Sequence, residues 1–182
     1  MYKKFAFLIT VFLNIFAPGR IKFDVLCSFS DLEGHGDEDT TLIFDLGGTL
    51  VKSSGGLTED GLAERIKDLS RRFKNIISIT SKEPTESEGT RDELGKLGIK
   101  FDSLGLDYSG DAGKFSNGIL SAGTVPKGKA FQGLLGHLEY NLKKVVYVDD
   151  EENNIIFMQT AARKHGIGFK GFWYRGNSDE ET

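Results

Sequence analysis

Residues 41–48 read TLIFDLGG: a short β-rich run leads straight into the carboxylate of Asp45, and Gly47, Gly48 and the polar residues 52–56 then turn the chain. The residues that follow keep up a strand–turn–helix rhythm. Thr58 reads as a helix cap, with Leu62, Ile66 and Leu69 spaced along one helical face. NIISIT at 75–80 is a second strand, and 87–97 is a helix closed by Gly98. Residues 101–125 are glycine-rich and aperiodic, an irregular insertion in which a β-hairpin is expected. Helical spacing resumes at 129–140, KVVYV at 144–148 is a strand ending on Asp149 and Asp150, 153–164 is a helix, and 168–174 is a closing strand. Strands separated by helices predict an α/β fold: a doubly wound, mainly parallel sheet covered on both faces.

Outward from this core, the length of 182 residues with 38% hydrophobic residues suits one domain. The net charge of -4 excludes a protein that grips nucleic acid through its overall field. Cys27 is the single cysteine, so no disulfide scaffold exists, and His35, His137 and His165 lack the spacing of a zinc site. At the amino terminus Lys3 and Lys4 precede the apolar run FAFLITVFLNIFA at 5–17, the layout of an export signal. That run is shorter than the roughly 20 residues of a membrane-spanning helix, so no stable anchor is expected. The expected organisation is a signal at 1–30, an acidic flexible lead-in at 31–40, a domain at 41–176 and a polar tail at 177–182, in an exported protein, periplasmic or secreted.

In a parallel sheet of this kind ligands bind beyond the carboxyl ends of the strands. Three strands end in polar chemistry there: Asp45, Thr80 with Ser81, and Asp149 with Asp150. Carboxylates brought together need a cation, and hard oxygens suit Mg²⁺, which shares phosphate oxygens with a substrate. Thr80 would donate its hydroxyl to a phosphate, and Lys127 would balance its charge. The rival reading of Asp150, Glu151 and Glu152 is a helix amino terminus whose carboxylates meet the dipole.

LIFDLGGTLV at 42–51, SITS at 78–81, Lys127-Gly128-Lys129 before a helix and VVYVDD at 145–150 together resemble the four ordered motifs of the haloacid dehalogenase (HAD) superfamily. The resemblance extends over nearly all of 42–176 and is nearest to a bacterial, commonly exported branch of unknown function. It implies a Rossmann-like sheet with little or no cap domain. It also implies a Mg²⁺-dependent phosphohydrolase or phosphotransferase with Asp45 as nucleophile, forming an aspartyl-phosphate. Asp45, the main-chain carbonyl of Gly47, Asp149 and Asp150 would hold the metal. Thr80 and Lys127 would bind the phosphoryl group, with Lys129 the alternative lysine.

One departure is at Gly47, where phosphatases of that superfamily carry an acid that protonates the leaving alcohol. General acid–base catalysis contributes about 10²–10⁴-fold, so its loss implies a weakened enzyme. The turn itself argues against a side chain there if Gly47 adopts a left-handed conformation. Two expectations therefore stand: an exported phosphoryl-transfer enzyme of reduced power, or a catalytically inactive protein of the same fold that binds a phosphorylated or protein partner. A phosphate loop at Gly113-Lys114 fails the G-x-x-x-x-G-K-[ST] pattern, because Tyr108 and Phe115 stand where glycine and Ser/Thr belong.

Overall fold

The β-rich run at 41–44 is a strand. In the computed structural model, which describes residues 22–176, Leu42 and Phe44 pack on one side of a sheet and Ile43 on the other, all fully buried. A strand covered on both faces is what a parallel sheet requires.

The strands are β1 (Phe23–Leu26), β2 (Thr40–Phe44), β3 (Asn75–Thr80), β4 (Tyr108–Gly110), β5 (Gly113–Ser116), β6 (Ile119–Ser121), β7 (Lys144–Asp149) and β8 (Gly168–Tyr174). They form one sheet in the order β1-β8-β7-β2-β3-β6-β5-β4. Every pair from β1 across to β6 is parallel, and β6-β5 and β5-β4 are antiparallel. The helices are α1 (Leu62–Leu69), α2 (Ser87–Lys96), α3 (Lys127–Leu135) and α4 (Glu152–Lys164). Leu62, Ile66 and Leu69 of α1 and Leu94 of α2 fill one face with Leu42, Phe44, Val146 and Val148. Phe131 and Leu134 of α3 and Ile155 and Met158 of α4 fill the other with Ile43, Ile77, Val145 and Tyr147. The fold is α/β, a mixed sheet with helices on both sides, compatible with a doubly wound Rossmann-like architecture.

Several boundaries differ from the expectation. The glycine-rich insertion does contain a hairpin, β4–β5, but its last strand, β6, belongs to the main sheet and pairs with β3 through Ser78↔Ile119 and Thr80↔Ser121. Thr58 does not cap α1; Gly61, at φ +69°, is the cap residue, and the Thr58 hydroxyl donates to the Thr49 carbonyl at 2.6 Å. The acidic stretch is not a free lead-in either. A 3₁₀ turn, Phe29–His35, buries Phe29 and Leu32 completely, and the Glu59 carboxylate holds it by accepting from Phe29 N (3.1 Å) and Ser28 Oγ (3.2 Å). Short polar sequences hide such anchors because two apolar side chains in ten residues carry no period. β1 pairs with β8 from Phe23 to Leu26, so a cut after Ser30 would remove an edge strand of the sheet. The apolar run at 5–17 and the tail at 177–182 lie outside the described residues. Among the described residues no helix is long and apolar enough to cross a membrane.

Candidate functional site

β2 and β7 are neighbours in register, Thr40↔Lys144 through Phe44↔Val148, so their carboxyl ends coincide. Asp45 N donates to Val148 O at 2.9 Å, which extends the ladder by one residue and fixes Asp45 beside Asp149. By strand alternation, Asp45 follows the parity of Ile43 and Asp149 that of Tyr147, the face covered by α3 and α4. One carboxylate oxygen from each of Asp45, Asp149 and Asp150 lies within 4.8 Å of the others. Asp45 and Asp149 are buried, whereas Asp150 reaches solvent.

Lys127 opens α3 after Pro126 and directs its ammonium into this group, donating to Asp45 Oδ1 at 2.5 Å and Asp149 Oδ2 at 2.8 Å. Gly128 allows the approach, since a Cβ there would come within 2.5 Å of the Phe157 carbonyl oxygen of α4. Lys129 is exposed. Of the two lysines, Lys127 is the one that contacts the carboxylates.

Asp149 is the best-anchored member. Its Oδ1 accepts from Glu151 N (2.8 Å) and Asn154 Nδ2 (3.1 Å), and its Oδ2 accepts from Lys127 and from the fully buried Tyr147 hydroxyl. Asp150 is held differently: its N–H donates to Thr49 Oγ1 at 3.1 Å, Thr49 Oγ1 donates to its Oδ1 at 3.4 Å, and Trp173 Nε1 donates to its carbonyl at 2.9 Å. Gly48, at φ +78°, is the residue of the turn that must be glycine, because a Cβ would run into the Asp150 carboxylate. Gly47 has an ordinary φ and open space where its Cβ would be. The left-handed conformation expected at Gly47 belongs instead to its neighbour.

Burial pushes the Asp45 carboxyl up to about 7, and Asp149 and Asp150 push the same way against Lys127. Burial alone would lower the Lys127 ammonium, but Asp45 and Asp149 outweigh it and hold it above its ordinary value. Three carboxylates and one ammonium leave surplus negative charge in a largely buried place. The site is thus an acidic triad gathered around one ammonium.

Thr80 ends β3 and is buried, but its hydroxyl accepts from Lys82 N at 3.3 Å, and no described hydrogen bond joins it to Asp45 or Lys127. It shares the sheet edge with the carboxylates without touching them. Tyr147, Asn154 and Thr49 were missed in the sequence. For Tyr147 a signal existed: it stands two residues before Asp149 on a strand and must share its face.

Comparison with known proteins brings a correction. A Chlamydia trachomatis serovar D protein described as "Putative outer membrane protein" is 22% identical over 111 residues, 60% of this chain and 42% of that protein's length. The chain thus spans less than half of the curated relative it matches. No solved structure matches. The family model that matches covers residues 52–182 and is described as "Protein of unknown function (DUF2608)". It begins after Asp45 and Gly47, so the first of the motifs behind the haloacid dehalogenase resemblance lies outside it, and nothing in the matches points to that superfamily; the resemblance does not hold as an assignment. With more than half of its length matched, the chain belongs to the family of proteins of unknown function DUF2608.

Proposed function

We propose that this sheet edge is a Mg²⁺-dependent phosphoryl-transfer site in which Asp45 is the nucleophile. The observation that carries the reading is the convergence of Asp45, Asp149 and Asp150 within 4.8 Å around the buried Lys127 ammonium. Asp45, Asp150 and the Gly47 carbonyl would hold the cation, with Asp149 completing the negative charge. Mg²⁺ bound there would neutralise phosphoryl oxygens. Lys127, anchored by Asp149, presents its remaining N–H to the same oxygens. Asp45 attacks phosphorus, the bond from phosphorus to the leaving oxygen breaks, and that oxygen takes its proton from water because Gly47 offers none. A second water then attacks phosphorus and releases phosphate, restoring the Asp45 carboxylate. Thr80, on the adjoining strand end, is assigned to the phosphoryl group in the same reading.

With no acid at Gly47, substrates with good leaving groups are favoured, and the alternative is a phosphate-binding protein without turnover. Phosphate release from an aryl phosphate such as p-nitrophenyl phosphate separates them. The expected result is hydrolysis that requires Mg²⁺ and falls at least about 10³-fold in Asp45→Asn. Mg²⁺-dependent binding of phosphate without hydrolysis would establish the binding protein instead. The apolar run at 5–17 and the likeness to a protein described as of the outer membrane support an envelope or exported location.

A further inference from the structure

Two cavities flank the turn that follows β2, and they differ in chemistry. One, of about 910 Å³, is walled by Glu59, Asp60 and Asp150 as well as Lys52 and Arg175, with Trp173 at its side. Its carboxylates oppose an anionic ligand. The other, of about 700 Å³, lies between the turn and α2 and is walled mainly by Leu46, Val51, Leu94 and Leu97, with Lys82 and Lys96 among its polar groups. Glu93 is its one acidic lining residue and already pairs with Lys82 at 3.1 Å. Lys96 has no ion-pair partner among the described residues.

The second cavity adjoins the site through the turns that follow two strands. Gly47 and Gly48, two and three residues beyond Asp45, line it, and so does Lys82, two beyond Thr80 and bonded through its N–H to the Thr80 hydroxyl. A Cβ added at Gly47 would meet nothing within 4 Å. Its volume is that of an ordinary small-molecule pocket, roughly 300–1,000 Å³.

We propose that this cavity receives the body of the phosphomonoester, and that the body is apolar, an aryl or medium-chain alkyl group, with the lysines favouring its anionic end. The proposal rests on the phosphoryl reading of the carboxylate edge. Aliphatic walls bind by excluding water from apolar area, so affinity grows with the size of the body.

The test uses two stable phosphonates, 2-naphthylmethylphosphonate and methylphosphonate, together with 2-naphthol, titrated calorimetrically into the full chain with Mg²⁺. The naphthyl phosphonate is expected to bind at least tenfold more tightly than methylphosphonate. Leu97→Asp, which places a carboxylate in the half-buried part of the wall, and Leu97→Trp, which fills the cavity with an apolar ring, should each abolish that gain while leaving methylphosphonate affinity unchanged. Leu97→Trp serves should Leu97→Asp fail to fold. Equal affinities for the two phosphonates would overturn the cavity proposal and leave the phosphoryl site standing. A gain that survives in folded Leu97→Trp would overturn it too. If neither phosphonate binds while 2-naphthol binds the wild type and not Leu97→Trp, the phosphoryl reading has failed, and the proposal of a phosphomonoester falls with it.

Discussion

β2 and β7 carry carboxylate–lysine pairs at both of their ends, and the two sets have almost the same distances. At the amino ends Asp37 meets Lys144 at 2.6 Å and Asp39 meets Lys143 at 2.8 Å. At the carboxyl ends Lys127 meets Asp45 at 2.5 Å and Asp149 at 2.8 Å. The surroundings are opposite. The Lys143 and Lys144 side chains are 68% and 55% exposed, whereas that of Lys127 is 5% exposed. Water and salt screen the first set and leave it worth little. The second set lies in a medium where each charge depends on its partner. Geometry alone would rank the ends as equals; burial makes one a solvated surface and the other a chemically poised centre.

The sharpest way to break this comparison is to remove the central ammonium. Lys127→Met leaves Asp45 and Asp149 buried without their cation and should destabilise the protein by about 3–5 kcal/mol at neutral pH, read as a lowered midpoint in urea unfolding. Lys144→Met at the other end should give no resolvable change in the same measurement. Similar losses from both variants would show that burial is not what separates the two ends.

A smaller effect is expected from Tyr147→Phe. The phenol is buried, and burial first, then the nearby Asp149 charge, holds it protonated as a donor to Asp149 Oδ2. Removing the hydroxyl should cost about 1–3 kcal/mol, with the α/β circular dichroism spectrum unchanged. No loss in urea unfolding would mean that Lys127, Glu151 N and Asn154 already satisfy Asp149.

The smallest effect concerns the exposed end. Hydrogen bonds from Lys144 and then Thr40 lower the Asp37 carboxyl to about 2 from its ordinary 3.8. A depressed folded value means that its small contribution is present above about 3.8 and is lost as pH falls through about 2. Side-chain NMR titration should place the Asp37 midpoint near 2 in the wild type and nearer the ordinary value in Lys144→Met.

Much of the site was legible before any coordinates because strand ends are local features. Asp45 and Asp149 each follow a β-rich run, and a parallel sheet brings such ends to one edge. The resemblance to the haloacid dehalogenase superfamily came from the same strand ends, which is why it described the edge without identifying the family. Asp150 joins the carboxylate group in the fold and also stands just before α4. Thr80 shows the limit of that logic: it reaches the right edge, yet its hydroxyl is engaged in its own turn.

By itself, the sequence determined the strands and helices from β2 onward outside the 101–125 insertion, the α/β class and the residue types waiting at the strand ends, because periodicity of two and of 3.6 residues is written in neighbouring positions. The tertiary structure alone decided that Lys127 rather than Lys129 enters the site, across separations of 82 and 22 residues to its two carboxylates. It also decided that Tyr147 donates to Asp149, that Gly48 rather than Gly47 is the obligatory glycine, and that Phe29 and Leu32 belong to the core. These depend on which helix is laid against which strand end and how closely. Such contacts are set by the packing of the whole sheet, and no local pattern encodes them.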